Sequence, residues 1–172
     1  FKFILSIFIV SIYFLGAKLG LSLAFRHESI SPVWPPNGIA ITALLLLGPS
    51  FWPTIFIAAF LSNNLLTSVG PLVSGGIAIG NTLEAVMCVY FLRRFFPNKD
   101  YLNRFKNVAG FLLYGCILTS MVSASLGTLS LYLGRAAQWR NLPILWFTWW
   151  IGDATAALVI VPCILSLKDI IK

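Results

Sequence analysis

No charged side chain occurs between Glu28 and Glu84, and none between Lys106 and Arg135. A water-soluble domain cannot leave stretches of that length bare of charge, because its surface must stay solvated throughout. The whole chain is 59% hydrophobic and only 10% charged. Lipid is the solvent such a chain is made for. In lipid every backbone N–H and C=O must be satisfied internally, which leaves helices or closed barrels. The apolar runs are continuous and lack the alternation of a barrel strand. The expected fold is therefore an all-α membrane protein, a compact bundle of about six transmembrane helices forming a single domain over residues 1–172.

Hydropathy places the spans at about 3–25, 35–48, 51–67, 71–95, 107–133 and 142–167. The second is short. Its residues cover roughly 21 Å as a helix, against a hydrocarbon core of about 30 Å. Gly48-Pro49 stops it and Trp52-Pro53 starts the third span, so spans two and three should form a tight helix hairpin. Their shortness implies that one end is sunk into the protein, where neighbours cover the backbone. The first span has no cleavage-site pattern and is expected to be a retained helix. Phe1 is not a methionine, and the chain is expected to be part of a longer one.

The formal net charge is +7. The basic residues flank apolar spans, which suits topology signalling and lipid headgroups rather than nucleic acid. Arg93, Arg94, Lys99, Arg104 and Lys106 share one loop, which should be cytoplasmic. Six spans then put both termini inside, together with Lys2, Lys168 and Lys172, while Arg26, Arg135 and Arg140 lie outside. The expected location is a bacterial cytoplasmic membrane. The segment "SPVWPPNG", 31–38, then lies on the outer side, with Trp34 at the boundary and Pro35 and Pro36 in a first helical turn that needs no N–H from them.

Lys18, Glu84 and Asp153 fall inside the spans. A charge at bilayer depth costs about 3 kcal/mol on insertion scales, so such residues face the bundle interior and find partners. Three readings are open. One is a structural ion pair, with Lys18 snorkelling outward. Another is a polar pocket for a small-molecule ligand or cation. The third is a proton pathway. Asn37 opens span two, Asn63 and Asn64 lie toward the outer end of span three, and Asn81 can share a helix face with Glu84. Each amide could also serve as interhelical glue. Trp149 and Trp150 precede Asp153 in "WFTWWIGD", 146–153, where an aromatic wall beside a carboxylate suits a cationic or amphipathic ligand. The pocket candidates are thus Lys18, Trp34, Asn37, Asn63, Asn81, Glu84, Trp149, Trp150 and Asp153.

Small residues mark close helix approach. Gly16 and Gly20 form one GxxxG, and Gly76 and Gly80 form another. Ser120, Ser123, Ala124 and Gly127 make a similar stripe in span five, and Gly152 sits beside Asp153. Packing inside one bundle and dimerisation, or contact with another membrane protein, are the roles open to these stripes. Cys88, Cys116 and Cys163 each stand alone in an apolar segment and read as small hydrophobes. One histidine, His27, cannot build a haem or zinc site. No triad, P-loop or nucleotide fingerprint occurs, so no catalysis, metal or cofactor is expected.

The stretch "VWPPNGIAITALLLLGPSFWPTIFIAAFLSN", 33–63, resembles the signature of the MASE1 family, the membrane-associated sensor 1 domain of bacteria. "GNTLEAVMCVYFLRR", 80–94, "VSASLGTLSLYL", 122–133, and "WFTWWIGDATAALVIVPCILSL", 146–167, resemble its later helices in the same order. The resemblance implies a sensory input module. It would detect an external or membrane signal and pass it through the C-terminal helix to a cytoplasmic output domain, a histidine kinase or a cyclic di-GMP enzyme. It also marks Trp34, Pro35, Asn37, Gly38, Asn63, Asn81, Glu84, Trp149, Trp150, Gly152 and Asp153 as signature positions. The family has about eight spans where this chain has about six. The competing reading is a small-molecule transporter or substrate-capture membrane subunit, which an outward polar pocket would also suit.

Overall fold

The computed structural model describes residues 1–23, 31–96 and 105–170, with backbone alone for 168–170. The expectations attached to Arg26, His27, Lys99, Arg104, Lys172 and the Lys168 side chain lie outside the described residues. Six helices make up the described chain, and no strand occurs among those residues. They are α1 (Lys2–Ser22), α2 (Pro35–Leu47), α3 (Trp52–Leu66), α4 (Pro71–Phe95), α5 (Phe105–Leu133) and α6 (Leu142–Ile170). Four segments are long and apolar enough to cross a membrane: Lys2–Ser22, Pro71–Phe95, Phe105–Leu133 and Trp139–Leu167.

The helices close a ring in the order α1, α3, α4, α5, α6, α2 and back to α1, and α2 also touches α4 across the middle. The hairpin of α2 and α3 turns through the 3-10 segment Pro49–Phe51, with Gly48 at φ 110, a left-handed value that a side chain would resist. Beyond that turn the two helices hardly touch. Each packs on other partners, α2 on α6 and α1, α3 on α4 and α1.

Small residues set these contacts. A Cβ on Gly16 would meet Ile39, and one on Gly20 would meet Trp34 and the Val33 carbonyl. Gly76 lies against Ser130, Gly80 against Leu126 and Ser123, and Gly127 against the ring of Trp149. Both GxxxG stripes are therefore spent inside the bundle, joining α1 to the start of α2 and α4 to α5.

The short α2 has its first turn buried in protein, while Leu46 and Leu47 at its other end are exposed. Its last turn is covered by Arg93 of α4, whose Nη2 donates to the carbonyls of Leu44 and Leu45 at 3.3 and 3.1 Å. The Leu44 carbonyl also accepts from Gly48 N–H at 3.1 Å, whereas the residue four beyond Leu45 is Pro49, which has no N–H to give, and a cation suits the negative end of the dipole. At the other end the chain from Ser31 to Trp34 lies against α6. Trp34 N–H donates to the Gly152 carbonyl at 3.1 Å. A Cβ on Gly152 would collide with the Ser31 carbonyl, so only glycine lets this backbone approach.

That contact lies about 15 Å along α6 from Leu142. The helix α2 therefore starts part-way across the bundle, which accounts for its length. Trp34 is 6% exposed and packs beneath Gly20, so it is a core residue and not the boundary anchor its position in the sequence suggests. A buried helix start would leave bare N–H groups. Pro35 and Pro36 have none to leave, and Asn37 N–H donates to the Trp34 carbonyl at 3.1 Å.

Candidate functional site: a buried carboxyl pair

Five of the six helices bring a polar side chain to one place. Asn37, in the first turn of α2, points its amide into the bundle. Its Nδ2 donates to Glu84 Oε1 at 2.8 Å and to the Asp153 backbone carbonyl at 3.0 Å. Both partners are acceptors, which fixes the orientation of the amide. Ser120 of α5 donates to the same Glu84 Oε1 at 2.6 Å. Ser123, one turn on, donates to Asn81 Oδ1 at 3.0 Å, and Asn81 Nδ2 donates to the Tyr13 hydroxyl of α1 at 3.3 Å. Glu84, Asp153, Tyr13, Ser120 and Ser123 are completely buried.

Helix periodicity explains the gathering. Asn81 and Glu84 are three residues apart on α4, and Ser120 and Ser123 three apart on α5, so each pair shares a face. Gly80 lets those faces meet, because a Cβ there would press on Ser123. In α5 the segment Phe111–Leu118 is π-helical and precedes the α-helical Thr119–Leu133 that carries both serines. Its loosened backbone is stitched by Thr119 Oγ1, which donates to the Tyr114 carbonyl at 2.9 Å, and by Trp150 Nε1, which donates to the Ile117 carbonyl at 3.1 Å.

Asp153 lies about 17 Å along α6 from Leu142. Its carboxyl faces Glu84, with Ser123 and Trp149 alongside. Ser123 gives its proton to Asn81 rather than to Asp153. Both Asp153 oxygens, Glu84 Oε2 and Asn37 Oδ1 are buried with no hydrogen-bond partner among the described residues. Buried polar atoms are almost always paired, so four unpaired acceptors at one point mark this cluster out. The Trp34 indole N–H is a buried donor without a partner, close to Tyr13.

The sequence candidates divide cleanly. Asn37, Asn81, Glu84 and Asp153 meet, with Trp34 and Trp149 against them. Lys18 is exposed on α1 and reaches neither acid, which is the snorkelling arrangement. Asn63 is buried but donates to the carbonyl of Ala59 one turn back in its own helix. Trp150 points away and stacks on Trp146, ring centroids 5.9 Å apart. Tyr13 is the site residue that sequence reasoning passed over. It lies four residues before Ala17 and seven before Gly20, on the close-packed face of α1, and that spacing could have found it.

Both acids are fully buried. Two hollows lie away from them, one of about 500 Å³ by Trp139, Arg140 and Trp146, and one of about 370 Å³ by Trp52, Phe56 and Thr82. The buried cluster links α6 to α2 through Asn37, and α2 to α4 and α5 through Glu84.

Searches of curated proteins and of solved structures returned no match. The MASE1 family model matches residues 5–172, which takes in every helix that builds the polar core. The chain therefore belongs to the MASE1 family of membrane-associated sensory domains.

Proposed function

We propose that this chain is a transmembrane input domain that receives a signal at its outer face or within the membrane and passes it through α6 to a cytoplasmic output domain. The observation that carries the reading is Asp153. It sits on the helix that leads to the C-terminal end, with both oxygens unspent, beside a glutamate that ties together α2, α4 and α5. Any change of charge or bonding there must alter how α6 packs. A signal acts only through such a difference between two packing states. Nine residues further on, Pro162 removes a hydrogen bond to the Leu158 carbonyl and loosens α6 between the site and its end.

The distribution of basic residues supports a bacterial cytoplasmic membrane with both ends of the bundle on the inner side. The partner at the end of α6 is a histidine kinase or a cyclic di-GMP enzyme, in keeping with the family resemblance. The test is a fusion of residues 1–172 to a reporter cyclase or kinase. Glu84→Gln and Asp153→Asn should insert normally and move the basal reporter output severalfold. Output equal to the native fusion in both variants would remove the reading.

A further inference from the structure

Glu84 and Asp153 are completely buried side by side, and neither has a lysine, arginine or histidine against it among the described residues. Two bare carboxylates in that position repel each other, and burial penalises each of them separately. One proton held between them removes both difficulties. It leaves a single charge and turns two acceptors into a short O–H···O⁻ hydrogen bond, the strong kind. Three of the four unpaired acceptors, Glu84 Oε2 and the two Asp153 carboxyl oxygens, belong to the pair; the fourth is Asn37 Oδ1.

The pair is unequal by construction. Glu84 Oε1 already accepts from Asn37 and Ser120, and the positive end of α2 stands beside it. The two Asp153 carboxyl oxygens accept from no donor among the described residues. Glu84 is thus furnished to carry the remaining charge and Asp153 to carry the proton. A permanently neutral pair would have no use for two donors and a helix end on one of its oxygens.

We propose that Glu84 and Asp153 bind one exchangeable proton between them, and that its loss is a signal this domain reads. The second half rests on the sensory reading above. On release the Asp153 O–H bond breaks, its electron pair stays on the carboxylate, and the proton passes to water. The new carboxylate needs a donor, and Ser123 is adjacent. Turning Ser123 toward Asp153 breaks its bond to Asn81, which is in turn bonded to Tyr13. A proton lost on α6 is thereby felt on α5, α4 and α1. The other titratable groups facing the pair are Tyr13 from α1, Cys88 from α4 and Cys116 from α5. The sequences of α2 and α3 contain none, and Lys2 and Lys18 of α1 are exposed.

The test is infrared difference spectroscopy of the purified chain in lipid discs, between acidic and alkaline buffers. The expected result is one protonated-carboxyl C=O band, lost reversibly in alkali and lost or moved in both Asp153→Asn and Glu84→Gln. Ser123→Ala keeps the pair and guards against misfolded variants. It should retain the band and shift its loss to more alkaline buffer. A band that persists at every pH the protein survives would make the proton structural and overturn the proposal. So would absence of the band, its loss on adding sodium at constant pH, or titration unchanged in all three variants. The band reports the proton whether or not a fusion responds. A titrating band with an unresponsive reporter therefore refutes the sensory reading and leaves the proton site standing.

Discussion

Asn37 is the side chain whose removal should be felt most widely. It gives one hydrogen bond to a carboxyl oxygen at 2.8 Å and one to a peptide carbonyl at 3.0 Å, both fully buried. A bond to a charged group contributes about 1.5–3 kcal/mol and a neutral one about 0.5–1.5. Interhelical bonds in a bilayer average nearer 0.6 kcal/mol, because the unfolded helices find other partners. Asn37→Ala should therefore cost about 1–4 kcal/mol. Asn37→Asp keeps the shape but replaces the donor with a third carboxyl facing Glu84, and should cost clearly more. Reversible unfolding in mixed micelles, read by tryptophan fluorescence, measures both. A cost for Asn37→Ala below about 0.5 kcal/mol, with Asn37→Asp no worse, would show that the amide does not tie α2 to α4 and α6.

Gly152→Ala forces a Cβ into the Ser31 carbonyl and should cost more than the roughly 1–3 kcal/mol of ordinary overpacking, because backbone cannot step aside. Gly75→Ala is the control. Nothing stands within 4 Å of its new methyl, so the melting temperature should hold or rise with better helix propensity. Arg93→Ala removes the guanidinium donor from the carbonyls of Leu44 and Leu45 and should lower stability by roughly 1 kcal/mol, while Arg94→Ala should stay near native in the same unfolding assay. Pro162→Ala restores a hydrogen bond in α6 and should stabilise the helix while reducing the response of a fused reporter. A fusion that responds fully would show that Pro162 is no hinge.

The helices were legible because lipid forces the issue. A long apolar run bounded by charge can be little else, and the observed ranges differ from the hydropathy ranges by only a few residues. The acids were legible for the same reason, since a carboxyl at that depth must face inward. Partner choice was not. Nothing in the spacing says that Asn37 would reach Glu84 across the bundle while Asn63 would bond within its own helix. Lys18 shows the limit from the other side. Its long stem allows it to leave the interior, so its position in the span does not fix where its charge goes. Arg93 reads as a topology signal in the sequence and also proves to be a helix cap, because one guanidinium can serve both ends.

The segment Trp34-Pro35-Pro36-Asn37 joins these threads. A helix that starts inside a membrane protein normally exposes N–H groups where no water can meet them. Two consecutive prolines delete two of those donors, and Gly152 admits the approaching backbone against α6. The same device brings the positive end of α2 and the Asn37 amide to the Glu84 carboxyl. Had α2 begun at the boundary, as a full-length span would, its dipole and its first turn would lie too far out to touch Glu84, about 20 Å along α4 from Pro71. The shortened helix and the acid pair are therefore one arrangement. Moving the start of α2 outward by a turn would leave Glu84 with Ser120 as its only donor among the described residues, and the inequality between the two acids would fall away.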